Sequence, residues 1–361
     1  MSGGVDSSTV AHLLKEEGHE LVGVQFKLWE DPLAPSVAKI LPSKCCNEAT
    51  LGRAKKVADD LDIPLHHIDL SKEFKQDVVD PFLEAYKNGL TPNPCVGCNK
   101  NIKFGRLLEL ADEFGCEKLA TGHYARVARL SSFERPSASA KATADTQDDN
   151  PYLLLEALDQ SKDQSYYLYG LSQEQLSRTL FPLGSMMKSE IFSLAEEYGV
   201  PISPQYRESQ DLCFFPEKDP HAFLDRYLKP SSGDIVDKTG KKRGTHRGLP
   251  HYTEGQRQGL GIGGLKIPLH VVAKDAASNT ITVGTKEETM SSELSAHSIN
   301  WISWVPPKNE ELPFEVRIHS LGLKRKGVMR HNGDTLSFRF QESQMGVSPG
   351  QSIVLYKGEE I

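Results

Sequence analysis

The chain has 361 residues, 38% of them hydrophobic, and a formal net charge of −7. This length and composition predict a folded protein of two or three domains with ordinary apolar cores. No apolar run approaches the ~18 residues of a membrane span, and no signal peptide pattern is present, so we expect a cytoplasmic protein without membrane contact. Six cysteines are too few for a disulfide scaffold. The acidic balance means that any nucleic-acid binding must use local basic patches.

The chain opens with a glycine–serine loop, MSGGVDSST, that runs directly into an amphipathic helix. Its glycines permit close backbone approach, and its serines offer donors where the helix dipole favours an anion. The G-K-[ST] ending of a Walker A loop is absent, so the loop supplies no lysine for a γ-phosphate. We therefore expect phosphate binding by Gly3, Gly4, Val5, Asp6, Ser7 and Ser8.

The phosphate loop lacks one expected neighbour in the printed sequence. A parallel nucleotide-binding sheet places a buried apolar strand immediately before such a loop, yet nothing precedes Met1. We expect this first strand to be missing from the sequence given, with Met1 an internal methionine taken as the start.

Strands and helices alternate after the loop. The apolar periodicity predicts strands over 21–27, 64–69 and 118–121 and helices over 48–61, 76–86 and 102–114. Alternating strands and helices predict an α/β fold with a doubly wound parallel sheet. Residues 131–150 are poor in large apolar side chains and lie between the strand-like runs YARVARL and YLLLEAL, which predicts a hairpin with a disordered excursion.

The predicted secondary structure changes in the second half of the chain. A predicted helix over 188–198 ends at Gly199, and beyond about residue 210 short strands and glycine-rich turns follow. The runs EVRIHSLG, TLSFRF and SIVLY predict a small β-barrel. We expect three domains: a nucleotide-binding catalytic domain over 1–205, a central domain over 206–285 and a C-terminal β-barrel over 286–361.

Two cysteine motifs carry chemistry. In TPNPCVGCNK, two prolines precede Cys95 and Cys98, and the following residues begin a helix, so Cys98 should lie near a helix N-terminus with a low thiol pKa. Cys213 lies in SQDLCFF beside two phenylalanines, where a buried structural cysteine is the ordinary interpretation and a functional thiol the alternative. The adjacent Cys45 and Cys46 and the distant Cys116 are interpreted as incidental.

A series of motifs now makes a family resemblance specific. SGGVDSS resembles the signature of the PP-loop ATP-pyrophosphatase superfamily. Together with VQFKLWED, TPNPCVGCNKNIKFG, ATGHYARV, KDQSYYLYGLSQEQL, SQDLCFF, GDIVDKTGK, YTEGQRQGLGIGG and SPGQSIVLY, it is similar to the bacterial tRNA-specific 2-thiouridylase family, in family order over almost the whole chain. The resemblance implies replacement of the C2 oxygen of the wobble uridine by sulfur in tRNAs for Lys, Glu and Gln. ATP would adenylate that oxygen and release pyrophosphate.

The resemblance also implies roles for single residues. Cys213 would carry a persulfide, delivered by a sulfur-carrier protein, and Cys98 would be the nucleophile. Either Cys98 attacks the persulfide and frees sulfide, or the persulfide attacks the uridine and Cys98 resolves the intermediate. Phe26 and Gly122 would line the adenine pocket, although Phe26 also suits a strand core. Mg²⁺ would accompany ATP, with Asp6 as a candidate ligand.

One residue departs from the family pattern. Cys95 stands where many members carry an aspartate that acts as a general base, which puts that role in doubt. Cys95, Cys98 and Cys213 together offer three thiolates to an iron–sulfur cluster with one open iron, which is the alternative mechanism. A zinc site is a third alternative, but no neighbouring histidine completes the set.

The resemblance assigns the tRNA contacts to several patches. The residues implied are Asn93, Pro94 and Cys95 at the flipped uridine, His123, Lys162, Asp163 and Gln164 near the anticodon, and Arg317, His319 and Gln351 in the barrel. Two basic clusters are further candidates: Lys241, Lys242, Arg243, His246 and Arg247, and Lys324, Arg325, Lys326 and Arg330. Competing functions are a small-molecule PP-loop ligase, which needs neither C-x-x-C nor a barrel, and a catalytically inactive tRNA-binding or cluster-carrying module.

Overall fold

The computed structural model describes residues 1–35, 48–130, 151–201, 212–217, 220–263 and 267–361. The helices are Val5–Glu16 (α1), Glu48–Asp60 (α2), Ser71–Phe74 (α3), Asp80–Lys87 (α4), Pro94–Gly97 (α5), Leu107–Glu113 (α6), Gln173–Arg178 (α7), Lys188–Glu197 (α8) and His221–Leu228 (α9). Two π-helices, Lys75–Val79 and Cys98–Arg106, join α3 to α4 and α5 to α6. Cys45, Cys46, the 131–150 excursion and residues 209–211 of the second cysteine motif lie outside the described residues.

The N-terminal strands are short and the C-terminal ones longer. They are Gly23–Lys27 (β1), Leu65–Asp69 (β2), Leu119–Ala120 (β3), Arg126–Arg129 (β4), Tyr152–Leu155 (β5), Thr179–Leu180 (β6), Gly233–Asp237 (β7), Lys242–His246 (β8), His270–Asp275 (β9), Thr280–Gly284 (β10), Met290–His297 (β11), Leu312–Arg317 (β12), Arg325–His331 (β13), Thr335–Met345 (β14) and Val354–Tyr356 (β15). Short 3₁₀ turns connect several of them.

The predicted α/β alternation is confirmed, and the sheet is divided. β1 pairs with β2 and β3 with β6, both parallel, as strands joined by helices should. These two pairs are separate ladders within the described residues. A cavity of about 2290 Å³ lies between them, lined by Val24 of β1 and Leu119 of β3. The α-amino group of Met1 donates to the backbone oxygen of Val24, so the chain begins at this edge of β1.

The C-x-x-C motif lies in one continuous helical segment that begins earlier than predicted. The sequence predicted a helix from Ile102, whereas α5 already begins at Pro94 with Asn93 as its N-cap. A proline is tolerated there because the first helical amide needs no partner within the helix. The π-helix from Cys98 to Arg106 then continues into α6. Such i→i+5 segments are rare and are frequent at functional sites.

The remaining strands form the two small β units expected from the sequence. β4 and β5 make the predicted antiparallel hairpin. The central unit has the strand order β8-β7-β10-β9, and the C-terminal antiparallel sheet has the order β11-β14-β13-β12-β15. Along β14 buried Leu336 and Phe338 alternate with exposed Ser337 and Arg339, so one face packs on the barrel core. No helix in the described ranges is both long and apolar enough to cross a membrane.

Candidate active site

The phosphate loop is held in place by close packing against Thr50 and by a hydrogen bond from Arg53. Gly3 has φ +71°, and a Cβ there would lie 2.1 Å from the backbone oxygen of Thr50, so this position requires glycine. Arg53 of α2 donates from Nε to the backbone oxygen of Gly3 at 2.8 Å. Gly4 is the extended N-cap of α1, which leaves the first amides of the helix facing the cavity. This arrangement is suited to an anion.

A lysine from a distant helix reaches the loop. Lys188, the first residue of α8, is 7% exposed, and its Nζ lies 2.6 Å from Oδ1 of Asp6. The hydroxyl of Tyr124 donates to the same oxygen at 2.7 Å and accepts from Lys188 at 2.9 Å. Sequence reasoning found no lysine for the phosphates because it examined the loop alone. A lysine four positions after the FPLG turn, at a predicted helix start, was the available signal.

The predicted adenine-pocket residues both line the cavity. A Cβ on Gly122 would lie 3.0 Å from Cβ of Asp6 and 3.1 Å from the amide nitrogen of Ser7, so glycine lets this loop pack directly on the phosphate loop. Phe26 is half-buried and packs against the same apolar cluster as Leu212 and Cys213. The adenine contacts of Gly122 and Phe26 stay predictions.

The cysteines of both motifs line the same cavity as the phosphate loop. Cys98 is buried, whereas Cys95 and Cys213 are half-buried at the cavity wall. Cys98 and Cys213 belong to one apolar cluster that includes Phe214 and Phe215. As predicted, Cys98 lies close to a helix start, one turn after Pro94. The fold therefore brings together two thiols that are more than a hundred residues apart in the chain.

The cavity does not gather a metal-binding set. Among the described residues, no three cysteine, histidine or carboxylate side chains lie close enough together to hold a metal ion. Cys95, Cys98 and Cys213 line the cavity without forming such a group among the described residues. The iron–sulfur and zinc alternatives stay predictions, and no step is derived through either group.

Several of the residues implied in RNA contact line the cavity. Asn93, Pro94, Lys162 and His319 are among them. Gln164 lines it as well, but its side-chain oxygen accepts from the backbone amide of Tyr124 at 3.0 Å. These residues come from the catalytic domain and the barrel, so both contribute to the cavity wall.

The barrel is bonded directly to the loop that precedes Cys95. Gln351 donates from Nε2 to the backbone oxygen of Thr91 at 2.9 Å, and the Thr91 amide donates to Pro349 at 2.9 Å. The Tyr166 hydroxyl donates to the backbone oxygen of Ser352 at 2.8 Å. Gln351, implied as an RNA contact, thus already holds the loop that carries the C-x-x-C motif.

Arg317 and Asp163 contact one another. Arg317 is 6% exposed and donates to Asp163 Oδ2 at 2.5 Å and to Glu156 Oε1 at 2.7 Å. Lys324 forms a further ion pair with Glu156, and burial raises the pKa of the Glu156 carboxyl. The direct RNA contact implied for Arg317 and Asp163 is therefore at odds with their burial. They bond the barrel to the catalytic domain.

Two residues of the central basic cluster pair with acidic groups. Lys242 lies 2.6 Å from Asp234, and Arg243 lies 2.6 Å from Asp237. His246 is buried, with Nε2 3.0 Å from the backbone oxygen of Asn279. Lys242 and Arg243 therefore take part in local charge pairing, the ordinary role of such a run.

His123 occupies the cavity wall as a neutral imidazole. Its Nδ1 lies 2.9 Å from Oγ1 of Thr121, and its Nε2 lies 3.5 Å from Nζ of Lys103. Desolvation first, and then the neighbouring Lys103 charge, hold the pKa of His123 well below its usual value. Sequence reasoning singled out His123 but missed Lys103. Lys103 is the lysine of the IKF sequence, and it lies on the helical segment that follows the C-x-x-C motif.

Comparison with known proteins agrees with this geometry. Three family models match in sequence: a tRNA methyl transferase HUP domain over 1–217, a tRNA methyl transferase PRC-barrel domain over 221–285 and an aminomethyltransferase beta-barrel domain over 291–361. The tRNA-specific 2-thiouridylase MnmA 1 of Caldanaerobacter subterraneus subsp. tengcongensis is 40% identical, covering 100% of this chain and 94% of its own length. The tRNA-specific 2-thiouridylase MnmA of Syntrophotalea carbinolica is 41% identical, covering 100% of this chain and 95% of its own length. The chain belongs to the tRNA-specific 2-thiouridylase family. The three-domain architecture expected from the sequence is that of this family.

Proposed function

We propose that the protein is a cytoplasmic enzyme that replaces the C2 oxygen of a tRNA wobble uridine with sulfur in an ATP-dependent reaction. One observation carries this proposal: a single cavity of about 2290 Å³ is lined by the phosphate loop, by Cys95, Cys98 and Cys213, and by residues of the barrel. Activation by ATP and delivery of sulfur therefore have a common chamber. A small-molecule ligase would need only the phosphate loop.

The first half-reaction activates the uridine. The C2 carbonyl is a poor electrophile whose oxygen leaves poorly, so it must first be converted into a better leaving group. The loop from Gly3 to Ser8 would bind the phosphates at the α1 N-terminus, beside Lys188. Asp6 would be the carboxylate for Mg²⁺, which supplies charge compensation as pyrophosphate leaves. The O2–phosphorus bond forms while the bond to pyrophosphate breaks, so AMP remains on O2.

The second half-reaction delivers sulfur from a persulfide on Cys213. The Cys98 thiolate attacks Sγ of Cys213, the inner sulfur of the persulfide; the Cys98–Cys213 disulfide forms as the bond to the outer sulfur breaks, and that sulfur leaves as hydrosulfide. Hydrosulfide attacks C2, and AMP departs with the electrons of the C2–O bond. In the alternative order the terminal persulfide sulfur attacks C2 first and Cys98 then cleaves the sulfur–sulfur bond. Either route leaves a disulfide that a thiol reductant must reopen, and a sulfur-carrier protein must restore the persulfide.

The tRNA would approach through the mouth shared by the catalytic domain and the barrel. Cys98 is buried at the cavity wall, so the target uridine must leave its stack to reach the thiols. Asn93, Pro94 and Cys95 would meet this base, and Lys162 and His319 would contact the flanking nucleotides. Arg317 and Gln351 would act as positioning residues that hold the barrel against the catalytic domain.

The deciding experiment uses unmodified transcripts of the tRNAs for Lys, Glu and Gln. The protein is incubated with ATP, Mg²⁺ and a sulfide source, pyrophosphate is quantified, and anticodon nucleosides are analysed by mass spectrometry. We expect pyrophosphate release that depends on tRNA, together with 2-thiouridine at the wobble position. Release triggered by a metabolite without RNA would indicate the ligase instead, and no release with any tRNA would indicate a binding module.

A further inference from the structure

Residues 212–217, which include Cys213, pack on helix α9 through two phenylalanines. The ring centroids of Phe215 and Phe223 lie 5.0 Å apart with an interplanar angle of 21°, and Phe214 contacts Phe223 at 5.6 Å. All three rings are buried. Aromatic pairs prefer such stacked and edge-to-face arrangements, with centroids about 4.5–7 Å apart. The chain directly after Cys213 is therefore fixed on α9.

An arginine on the same side of α9 binds the other end of this segment. Arg226 follows Phe223 by three positions, which places both side chains on one face of the helix. Its NH1 donates to Oε1 of Glu217 at 2.6 Å, and both side chains are largely buried. Pro216 precedes Glu217, and its ring fixes the backbone angle φ there. The ion pair therefore restrains the chain four residues after Cys213.

The guanidinium of Arg226 is itself held by Asp31. Nε of Arg226 donates to Oδ2 of Asp31 at 2.9 Å, and the hydroxyl of Tyr227 donates to Oδ1 at 2.6 Å. The Asp31 side chain is fully buried and also accepts from the amide of Leu33 at 2.9 Å. Hydrogen bonds between ionised groups are the strong ones, and a guanidinium presents its donors in a rigid fork. Because Asp31 follows β1, Arg226 connects the Cys213 segment to the loop after that strand.

Both thiols belong to the apolar cluster that α9 helps to form. Cys98 is buried in this cluster together with Phe214 and Phe223, and Cys213 packs against it. A displacement of residues 212–217 on α9 would therefore change the separation of the two sulfur atoms. A misplacement of about 1 Å can slow a reaction by about 10²-fold. Sulfur exchange should thus depend on how firmly the segment is held.

We propose that the Glu217–Arg226 ion pair positions Cys213 for sulfur exchange with Cys98, an inference that rests on the proposed thiolation. Among the described residues that line the cavity, neither Glu217 nor Arg226 is included, so both act through the segment as positioning residues. Adenylation of the uridine uses the phosphate loop, whereas sulfur exchange needs Cys213 within reach of Cys98. Loss of the ion pair should therefore slow sulfur transfer and leave adenylation unchanged.

The first test compares Glu217→Ala with Glu311→Ala in the full-length protein. Glu311 also pairs with an arginine, Arg339, at 3.0 Å, but both side chains are exposed. Each protein is loaded with sulfane sulfur from polysulfide, and single-turnover measurements follow tRNA-dependent pyrophosphate release and 2-thiouridine formation separately. We expect Glu217→Ala to slow 2-thiouridine formation by about 10–10²-fold and pyrophosphate release by less than about twofold. Glu311→Ala should change neither step by more than about twofold.

The conservative variant separates positioning from folding. Glu217→Gln keeps a side-chain oxygen that can accept from Arg226, so it should recover part of the rate that Glu217→Ala loses. Asp31 remains bonded to Arg226 in both variants, which protects the fold. Equal slowing of both steps by Glu217→Ala would indicate a general structural role and overturn the proposal. Unchanged 2-thiouridine formation would overturn it as well.

The second test measures the position of the thiols without tRNA. In a Cys95→Ser background, two glutathione thiols reduce the Cys98–Cys213 disulfide and leave as glutathione disulfide, so the equilibrium reports the effective concentration of the two protein thiols. Peptide mass spectrometry identifies the linkage. We expect Glu217→Ala to lower this effective concentration about tenfold and Glu311→Ala to leave it unchanged. An unchanged equilibrium in Glu217→Ala would overturn the proposal, whereas wild-type protein that forms no 2-thiouridine would contradict the proposed function itself.

Discussion

At the scale of single residues, Cys95 distinguishes the two sulfur-transfer mechanisms. In the disulfide route only Cys98 and Cys213 exchange sulfur, so Cys95→Ser should retain measurable thiolation, whereas Cys98→Ala or Cys213→Ala should abolish it. We expect this result because the three thiols do not gather as ligands in the described part of the chain. The measurement is 2-thiouridine formation by anaerobically purified variants, with iron quantified in parallel.

Loss of both iron and activity in Cys95→Ser would indicate the cluster mechanism instead. Removing one thiolate from a three-cysteine cluster breaks a metal–sulfur bond. An active, iron-replete wild type beside an inactive, iron-depleted Cys95→Ser variant would therefore exclude the disulfide route. Iron-free wild-type protein with multiple-turnover activity would exclude the cluster.

Lys162 carries the prediction for RNA binding at this scale. The protein is acidic overall, so we expect recognition to depend on individual cations such as Lys162, which lines the cavity. Lys162→Ala should weaken tRNA binding and reduce the slope of log affinity against log salt by about one, while ATP affinity stays unchanged. Filter binding over a salt series provides the slope, and an unchanged slope would mean that Lys162 makes no phosphate contact.

At the scale of secondary-structure elements, the edge of β1 holds the α-amino group of Met1. Burial lowers the pKa of the Met1 α-amino group to about 6 from the usual 8.0. The unfolded chain then binds this proton more tightly than the folded one. The free energy of unfolding should therefore rise between about pH 6 and pH 8, by about 2 kcal/mol, as the group loses its proton.

Acetylation of Met1 provides the matched comparison. It removes the charge but keeps an N–H that can donate to Val24. Urea unfolding at both pH values should show a rise in stability that is about 2 kcal/mol larger in the non-acetylated protein, and equal rises in both would refute the assignment. An apolar strand fused ahead of Met1 should raise the melting temperature further, because it would cover the edge of β1 that has no partner strand among the described residues.

At the scale of the whole molecule, the barrel and the catalytic domain share a buried ion network. Arg317→Ala would leave the Asp163 and Glu156 carboxylates without this partner in a buried site. We expect a loss of about 3–5 kcal/mol in the free energy of unfolding, because an uncompensated buried charge is costly. The exposed pair of Arg339 and Glu311 is the control, and Arg339→Ala should cost at most about 1 kcal/mol.

The same variant tests whether Arg317 positions the barrel or contacts RNA. As a positioning residue, Arg317→Ala should reduce thiolation while leaving the salt slope of tRNA binding unchanged. A reduced slope with unchanged stability would show instead that Arg317 reaches a phosphate in the complex. Chemical denaturation and filter binding on one preparation distinguish these outcomes.

The sequence by itself determined the order of elements and predicted the groups that would carry the chemistry. Periodicity predicted α1, β1 and β2 closely, because local propensity and the alternation of buried and exposed residues fix each element along the chain. The phosphate loop and the cysteine motifs could also be recognised in the sequence, since few other functions require glycines, serines and thiols at these spacings.

Only the tertiary structure decided which side chains meet. Lys188 reaches Asp6 across 182 positions, and Arg317 reaches Asp163 across 154, distances over which no local pattern acts. Arg317 was implied as a surface cation, yet burial makes pairing with a carboxylate far more favourable than an unpaired charge. The π-helix that contains Cys98 was also not predictable from the sequence, because a change from i→i+4 to i→i+5 bonding depends on packing around the helix rather than on its own residues.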